Sequence, residues 1–544
     1  MQSVPSKITA QSPQPTSFRT RSFAVLCACI ALTCGLAIST YSVFGHTWDE
    51  PEHLAAGLAL LDTGEYPYDT QHPPVARIAM ALGPFLAGAH SYGNPGPSGE
   101  QEGRDILYKS GHYDLYLSLA RIGMLPFLAL LLFATWAWTL HSFGAVEAAI
   151  VTILLATIPP IIGHGAVAAL DVPMAATTMF ALYLLLRWFE FPLLRRAVEF
   201  AVAAGIAAGS KLSSPPFLVC VTVLWTIAAF AIGSRKSESP QPLRATLVAK
   251  HAAVAFAIAL LVLIFCYGFT FSPLSAKWPI PIPDGVSRLA ESLLTLAGHN
   301  TGGHLSFFMG ELRRTGWWDF YIVGLGVKTP LPTLLFGVGG LGWLFWRGWR
   351  ERNWLIAAPS LAFIAILVFA SAISHINIGV RHVMVLFPLL AMGAGVALVA
   401  LWRRFSQPLG RIVLVGILAS QIGSLAIAHP DDLAYFNILA GSHPEKILVD
   451  SDLDWGQDMR RLENELNALG IKDFSLAYRG TADLPHEHLP HYRRLFPGER
   501  ATGWVAVTLL AKATGSENGG YDWLDAYQPV TRIGKSIDLY YIEK

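Results

Sequence analysis

The chain has 544 residues and a mass of 59.1 kDa, with 53% apolar or aromatic residues, 14% charged residues and a mean hydropathy of +0.44. Soluble domains carry about 25% charged residues, so this is not a soluble globular enzyme. Lys and Arg number 39 against 38 Asp and Glu, a net +1, which excludes both the basic field of a nucleic-acid binder and the acidic excess of a disordered chain.

Residues 1–20, rich in Ser, Pro and Gln, read as a disordered cytoplasmic leader. A helix needs about 20 mostly apolar residues to cross a bilayer, and about eleven runs qualify as candidates. They lie near 22–44, 117–140, 144–162, 166–187, 197–209, 214–233, 251–271, 319–346, 354–373, 380–402 and 411–428. The first lacks a small-x-small cleavage site and reads as a retained signal anchor. The fifth is short and Gly/Ala-rich, open to being broken or re-entrant. Cys27, Cys29, Cys34, Cys220 and Cys266 all fall inside apolar runs, against a disulfide framework or a thiolate zinc site.

Alternate connections carry the basic residues: Lys7, Arg19 and Arg21; Arg195 and Arg196; Arg235, Lys236, Arg244 and Lys250; Arg347, Arg350 and Arg352; Arg403, Arg404 and Arg411. The positive-inside rule makes these cytoplasmic, and an odd number of spans sends the C-terminus outside. The regions 45–116, 272–318 and 429 to the end are too long for turns and are where function is expected. The expected fold is a polytopic α-helical membrane domain over 21–428 followed by an extracytoplasmic α/β domain over 429–544. Within that tail, 446–450, 474–478, 504–510 and 536–542 read as strands, and 458–469 as a helix burying Met459, Leu462, Leu466 and Leu469.

Where the first span leaves the membrane stands Thr47-Trp48-Asp49-Glu50-Pro51-Glu52-His53. Pro51 and the period of Leu54, Leu58 and Leu61 predict a short interfacial helix with the acids at its start. Two readings of Asp49 are open: a helix cap, or a general base in a cleft at the membrane surface. Gln71-His72-Pro73-Pro74, Asp171 with Pro173, Lys211, Lys328-Thr329-Pro330 and Arg381-His382 are expected at the same outer depth, where ionisable groups are costly unless solvated or used. Snorkelling to the headgroups is the alternative for Lys211, Lys328 and Arg381.

These residues carry a family resemblance. The Asp49-Glu50 pair, the HPP at 72–74, Asp171, Gly316-Trp317-Trp318 and Lys328-Thr329-Pro330 resemble the GT-C superfamily, and within it the bacterial family 39 type, similar to protein O-mannosyltransferases and aminoarabinose transferases. Gly302-Gly303-His304, Phe308-Met309-Gly310-Glu311, Arg381-His382 with Phe387-Pro388, and the tail segment Asp450-Ser451-Asp452-Leu453-Asp454-Trp455-Gly456-Gln457-Asp458 also fit. The resemblance covers the chain from about 45 to the end.

The resemblance implies a glycosyltransferase of the bacterial inner membrane that moves a sugar from a polyprenyl-phosphate donor to an extracytoplasmic acceptor. By it, Asp49 matches the catalytic base, Glu50 its neighbour in the acidic pair, and Asp171 a second, orienting acid. Lys328, Arg381, Lys211 and His72 are expected on the donor phosphate, although His72 replaces a lysine of some relatives. His304, Glu311, Trp317 and Trp318 are expected in a substrate-binding loop, and Trp278 as a further aromatic there. Such chemistry needs one base and cations for the departing phosphate.

A divalent metal is an open alternative, since His299, His304 and Glu311 with Glu50 or His72 offer N and O ligands. No HExxH-like spacing supports it, and no metal ligand is assigned. The acids at 450–458 begin like a calcium loop, but Arg461 stands where the twelfth-position acid belongs; a turn in which Asp454 or a neighbour caps a helix near Gly456 is the expectation. The Gly337–Gly342 run predicts close helix packing. The rival function is a secondary transporter or lipid-linked sugar flippase; the clustering of charge at one edge and the lack of a half-repeat argue against it. A non-catalytic scaffold is the third reading.

Overall fold

The apolar runs form long helices in the computed structural model, which describes residues 16–93, 98–233, 244–268, 271–275, 278–515 and 519–543. Most of the expected leader, Arg235, Lys236 and the side chain of Trp278 lie outside the described residues. Among those residues eight helices are long and apolar enough to cross a membrane, from Ser17–Ser39 to Pro408–Ala428. A ninth span results if the pair Ala145–Ala156 and Pro159–Gly165, bent by 65°, is one span.

The difference from about eleven runs has local causes. The run at 144–162 breaks where Pro159 and Pro160 enter a new helix, because proline lacks the N–H that would continue the old one. The run at 319–346 is two helices, Phe320–Lys328 and Leu331–Arg350. Thr329, just before Pro330, is extended at φ −95° and ψ 132°, since a following proline disfavours the helical region. The Gly/Ala-rich run is the 17-residue helix Leu194–Ser210, and the run at 380–402 opens with a 3-10 turn, Val380–Val383, before the helix Leu386–Arg404.

The helix ends sort the charge. Asp171–Glu190 starts at Asp171 and ends beside Arg187, whereas Leu194–Ser210 starts with Arg195 and Arg196 and delivers Lys211. Leu331–Arg350 follows Lys328 and ends with Arg347 and Arg350; Leu386–Arg404 follows Arg381 and ends with Arg403 and Arg404. The candidate site residues thus share one end of the bundle and the arginine clusters the other.

Between the first two spans, the helices Glu50–Thr63, Val75–Leu86 and Gly99–Lys109 bury Leu54, Leu58, Met80 and Leu107 in a second core shared with Leu117, Leu170 and Leu263 of the neighbouring elements. The tail is built on a five-stranded sheet in the order His491–Arg494, Asp473–Ala477, Gly503–Thr508, Ile537–Ile542, Thr531–Ile533. The first three strands pair in parallel and the last two pairings are antiparallel. The helix Met459–Ala468 lays Met459, Leu462 and Leu466 on one face of the sheet, as its spacing predicts, but Leu469 lies beyond its end and is exposed.

Residues 446–450 are not the expected strand; they follow the 3-10 turn Pro444–Lys446 and lead into Asp450–Leu453. Their apolar side chains serve the junction instead of the sheet. Leu448 packs in the core of the membrane helices, and Val449 packs with Leu453, Leu509 and Leu510.

The Gly337–Gly342 run packs closely, as expected. A Cβ on Gly340 would sit 2.0 Å from the Gly393 carbonyl of Leu386–Arg404, and one on Gly393 would sit 2.5 Å from the Gly337 carbonyl. Gly340→Ala is therefore expected to cost about 1–3 kcal/mol through forced separation of the two helices. Gly339→Ala, whose Cβ meets nothing within 4 Å, is expected to be neutral. Thermal unfolding in detergent compares them, and equal Tm values for the two variants would contradict the packing.

Candidate active site

The chain leaves the first span through a main-chain splice with the tail. The Gly45 N–H donates to the Gln457 carbonyl at 3.0 Å and the Trp48 N–H to the Trp455 carbonyl at 2.9 Å. The next two residues, both acids, then point to different surroundings.

Glu50 turns inward. Its Oε1 accepts from Arg121 Nε and the Ala168 N–H, both at 2.8 Å. Its Oε2 accepts from Arg121 Nη2 at 2.8 Å and the Thr47 N–H at 2.7 Å. Both side chains are 1% exposed. Burial alone would raise the Glu50 carboxyl; the charge and hydrogen bonds of Arg121, with the two amides, hold it below the ordinary carboxylate range. An ionised pair this deep persists because every lone pair is used.

Asp49 turns outward and is 24% exposed. It occupies the N-cap position of Glu50–Thr63 in a helical conformation and makes no side-chain cap bond, so the capping reading does not hold. Its Oδ2 accepts instead from Arg381 Nη1 at 2.6 Å. The same Nη1 lies 3.4 Å from Asp171 Oδ2, and Asp171 Oδ1 accepts from Lys211 Nζ at 2.6 Å. Four residues expected at one depth therefore form one chain, Asp49–Arg381–Asp171–Lys211.

Arg381 is 7% exposed. Its Nε is buried and has no hydrogen-bond partner, and its guanidinium carbon lies 4.3 Å from the ring centre of Trp455. A guanidinium offers five N–H donors in a fixed fork. With carboxylates on Nη1, the Nε–H is left without an acceptor among the described residues.

A second polar cluster borders this chain. Arg77, fully buried, donates to Tyr66 Oη at 2.8 Å and to the Asp69 carbonyl at 2.9 Å, and is paired with the Asp69 carboxylate. It also reaches His53 Nδ1 at 3.1 Å. The His72 ring lies edge-on to His53 at 5.7 Å. Gln71 continues the cluster to His299 at 2.9 Å, and His299 to His304 at 3.2 Å. Burial, then Arg77, pull His72 well below the ordinary histidine range, and burial, then His299, lower His304 to about 4. Both rings are neutral at pH 7 and act as hydrogen-bonding groups, not cations.

Other expected residues have different surroundings. Lys328 is fully buried and its ammonium donates to the Leu433 carbonyl at 2.8 Å and the Asp452 carbonyl at 2.6 Å, 4.3 Å from the Phe436 ring centre. It is a clip between the broken helix and the tail, in place of the expected phosphate contact. Glu311 pairs with Arg313 at 2.5 Å on the exposed hairpin Ser306–Phe308/Glu311–Arg313. Trp317 packs on Phe308 and Arg313, and Trp318 is 71% exposed.

The acids of the tail segment diverge. Asp452 accepts from the Val380 N–H at 3.2 Å, Asp454 from the Leu510 N–H at 2.7 Å and the Gly456 N–H at 3.2 Å, and Asp458 from Ser536 Oγ at 2.7 Å. Asp454 thus caps no helix near Gly456, and the helix begins at Met459. Among the described residues no group of three or more His, Cys, Asp or Glu is placed to hold a metal ion.

Arg121 and Arg77 lie outside the residues singled out in the sequence, and Trp455 stands in the tail segment without an assigned role. Arg121 stands alone in the apolar run at 117–140, and a lone intramembrane arginine was a readable signal.

Glu52, one turn after Asp49, is half-buried, and burial followed by the charge on Asp69 pushes it up to about 7. An acid raised in the fold holds its proton longer there than in the unfolded chain. Its ionisation therefore lowers stability as pH rises from about 4.5 to about 7, and the loss persists above. Glu52→Gln is expected to match the parent in stability near pH 4.5 and to be more stable at pH 8 by about 1–2 kcal/mol after allowance for solvent screening, read as a higher Tm. A lower Tm for the variant at pH 8 would contradict the assignment.

No protein-family model and no curated protein matches the sequence. Among solved structures, the chain is similar to the oligosaccharyltransferase AglB from Archaeoglobus fulgidus in complex with an inhibitory peptide and a dolichol-phosphate, with a TM-score of 0.50 and 11% identity over 77% of this chain. The apo form of the Archaeoglobus fulgidus oligosaccharyltransferase gives 0.50 and 14% over 76%. The chain spans 56% of the length of each of these proteins. ArnT from Cupriavidus metallidurans bound to undecaprenyl phosphate aligns over 97% of this chain and 98% of its own, at 12% identity and a TM-score of 0.48. At such identities the likeness concerns architecture alone: the chain shares the fold of the Archaeoglobus fulgidus oligosaccharyltransferase over about three quarters of its length.

Proposed function

We propose that the chain is a multi-pass membrane glycosyltransferase that moves a sugar from a polyprenyl-phosphate donor to an acceptor on the extracytoplasmic side by single displacement. The observation that carries this reading is the half-open carboxylate of Asp49 on an arginine that also holds Asp171 and keeps a buried N–H free. A base and an anion-binding edge stand side by side at one end of the spans. The dolichol-phosphate bound to AglB supports a lipid phosphate as the ligand of such a fold. The arginine clusters at the opposite helix ends support an outward-facing site and a cytoplasmic N-terminus.

In this reading Asp49 takes the proton of the acceptor hydroxyl or amine as its oxygen or nitrogen bonds to the anomeric carbon. The bond from that carbon to the phosphate oxygen breaks, and the electron pair leaves with the lipid phosphate. Arg381 meets that charge with Lys211, and neutral His72 donates a hydrogen bond to it. Preorganised donors of this kind carry the larger share of the rate enhancement. Asp171 orients Arg381 and Lys211. Glu50 is a positioning residue, since Arg121 and two amides consume its oxygens. His304, Glu311, Trp317 and Trp318 edge the acceptor side, and the sheet domain of the tail stands outside the membrane above them.

Asp49→Asn keeps shape and a hydrogen-bonding carbonyl but removes the base. It is expected to lower sugar transfer from a polyprenyl-phosphate donor by about 10²–10⁴-fold while membrane insertion and Tm hold. Transfer of labelled sugar in membranes from cells expressing each form measures this. Full transfer by the variant would remove Asp49 from the mechanism.

A further inference from the structure

We infer that Trp455, carried by the tail, is the positioning residue that holds both partners of the Asp49–Arg381 pair, so that the tail completes the active site. The inference rests on the donor-phosphate reading of Arg381 given above. Two contacts carry it. The indole face supports the Arg381 guanidinium at 4.3 Å, and the Trp455 carbonyl holds the Trp48 N–H at 2.9 Å, immediately before Asp49.

The surrounding segment fixes this one side chain. Gly456 has φ +87°, a left-handed conformation that glycine adopts at least cost. Its N–H is held by Asp454 at 3.2 Å, and the Trp455 N–H donates to Gln457 Oε1 at 2.8 Å. Gln457 Nε2 then donates to the Leu453 carbonyl at 2.9 Å. Asp452 binds the Val380 N–H, directly before Arg381, and its carbonyl receives Lys328. Each polar residue from Asp452 to Gln457 therefore either shapes the turn that bears Trp455 or ties that turn to the arginine's own turn.

A second ring also lies against the indole. The His164 ring, from the bent Pro159–Gly165 helix, lies 5.7 Å from it, and Val167, Ala169 and Leu433 close the pocket. Trp455 is 2% exposed. A buried indole between a cation and a ring has little freedom to tilt, and the arginine on its face inherits that rigidity. A desolvated arginine over tryptophan is a favourable arrangement that leucine cannot supply, whatever volume it fills.

The test uses the full chain in nanodiscs, with undecaprenyl phosphate as the probe and its Kd as the readout. Trp455→Leu is expected to weaken binding about tenfold and Trp455→Phe by less than about threefold, because an aromatic face rescues the stack. Trp455→Tyr and Trp455→Met repeat the comparison with a second pair. Arg381→Gln is expected to weaken binding about tenfold, and adding Trp455→Leu to it to cost nothing further, since the two act as one unit. Equal Kd values for the Leu and Phe variants, or additive losses in the double variant, would reduce Trp455 to packing and overturn the inference. If Arg381→Gln weakens binding and Trp455→Leu does not, the inference alone falls. If Arg381→Gln binds as tightly as the parent, the donor reading falls and takes the inference with it.

Discussion

One guanidinium holds the site together. Arg381 Nη1 lies between Asp49 and Asp171, two carboxylates delivered by the end of the first span and the start of the Asp171–Glu190 helix. Without a shared cation, two acids in a poorly solvated cleft repel and at least one resists ionisation. With it, the charges balance, Lys211 closes the series on Asp171, and the helix ends that supply all four residues acquire a common registry. The broken and bent helices serve this arrangement. The 3-10 turn Val380–Val383 presents the arginine, and the break at Thr329-Pro330 leaves Lys328 at a helix end where it reaches the tail.

The neighbouring acids show how environment divides labour. Asp49 and Glu50 are adjacent in sequence, yet Glu50 meets Arg121 and two amides in full burial while Asp49 faces the open side. The first ties the backbone to Arg121; the second keeps a partly exposed carboxylate on Arg381. The tail is bound into the same construction. Lys328, Asp452 and Trp455 join it to the membrane helices by buried hydrogen bonds and a cation–π contact, an extent of burial that a loosely tethered domain would lack.

Much of this was legible in the sequence, for physical reasons. Apolar length revealed the spans, and the placement of arginines revealed their ends. Residue type at those ends picked out Asp49, Asp171, Lys211 and Arg381, which the fold brings together. Side-chain partners were less legible. Lys328 looked like a phosphate contact because a buried lysine bound to two carbonyls has the same sequence appearance as one facing a ligand. The apolar stretch at 446–450 had strand composition but spends its side chains on the junction with the membrane helices, an effect of tertiary contact that no local period encodes. The acids at 450–458 read as a turn with a helix cap near Gly456; Asp454 instead accepts from the Gly456 and Leu510 amides around the left-handed turn, and the helix begins at Met459.

In the proposed donor complex a lipid phosphate binds Arg381 beside Asp49. The most direct measurement is an experimental structure of the full chain with undecaprenyl phosphate. Phosphate oxygens are expected about 3 Å from Arg381 nitrogens, with Lys211 on the same anion and Asp49 left facing the acceptor side. A phosphate bound elsewhere, with Arg381 still without an anion, would contradict it.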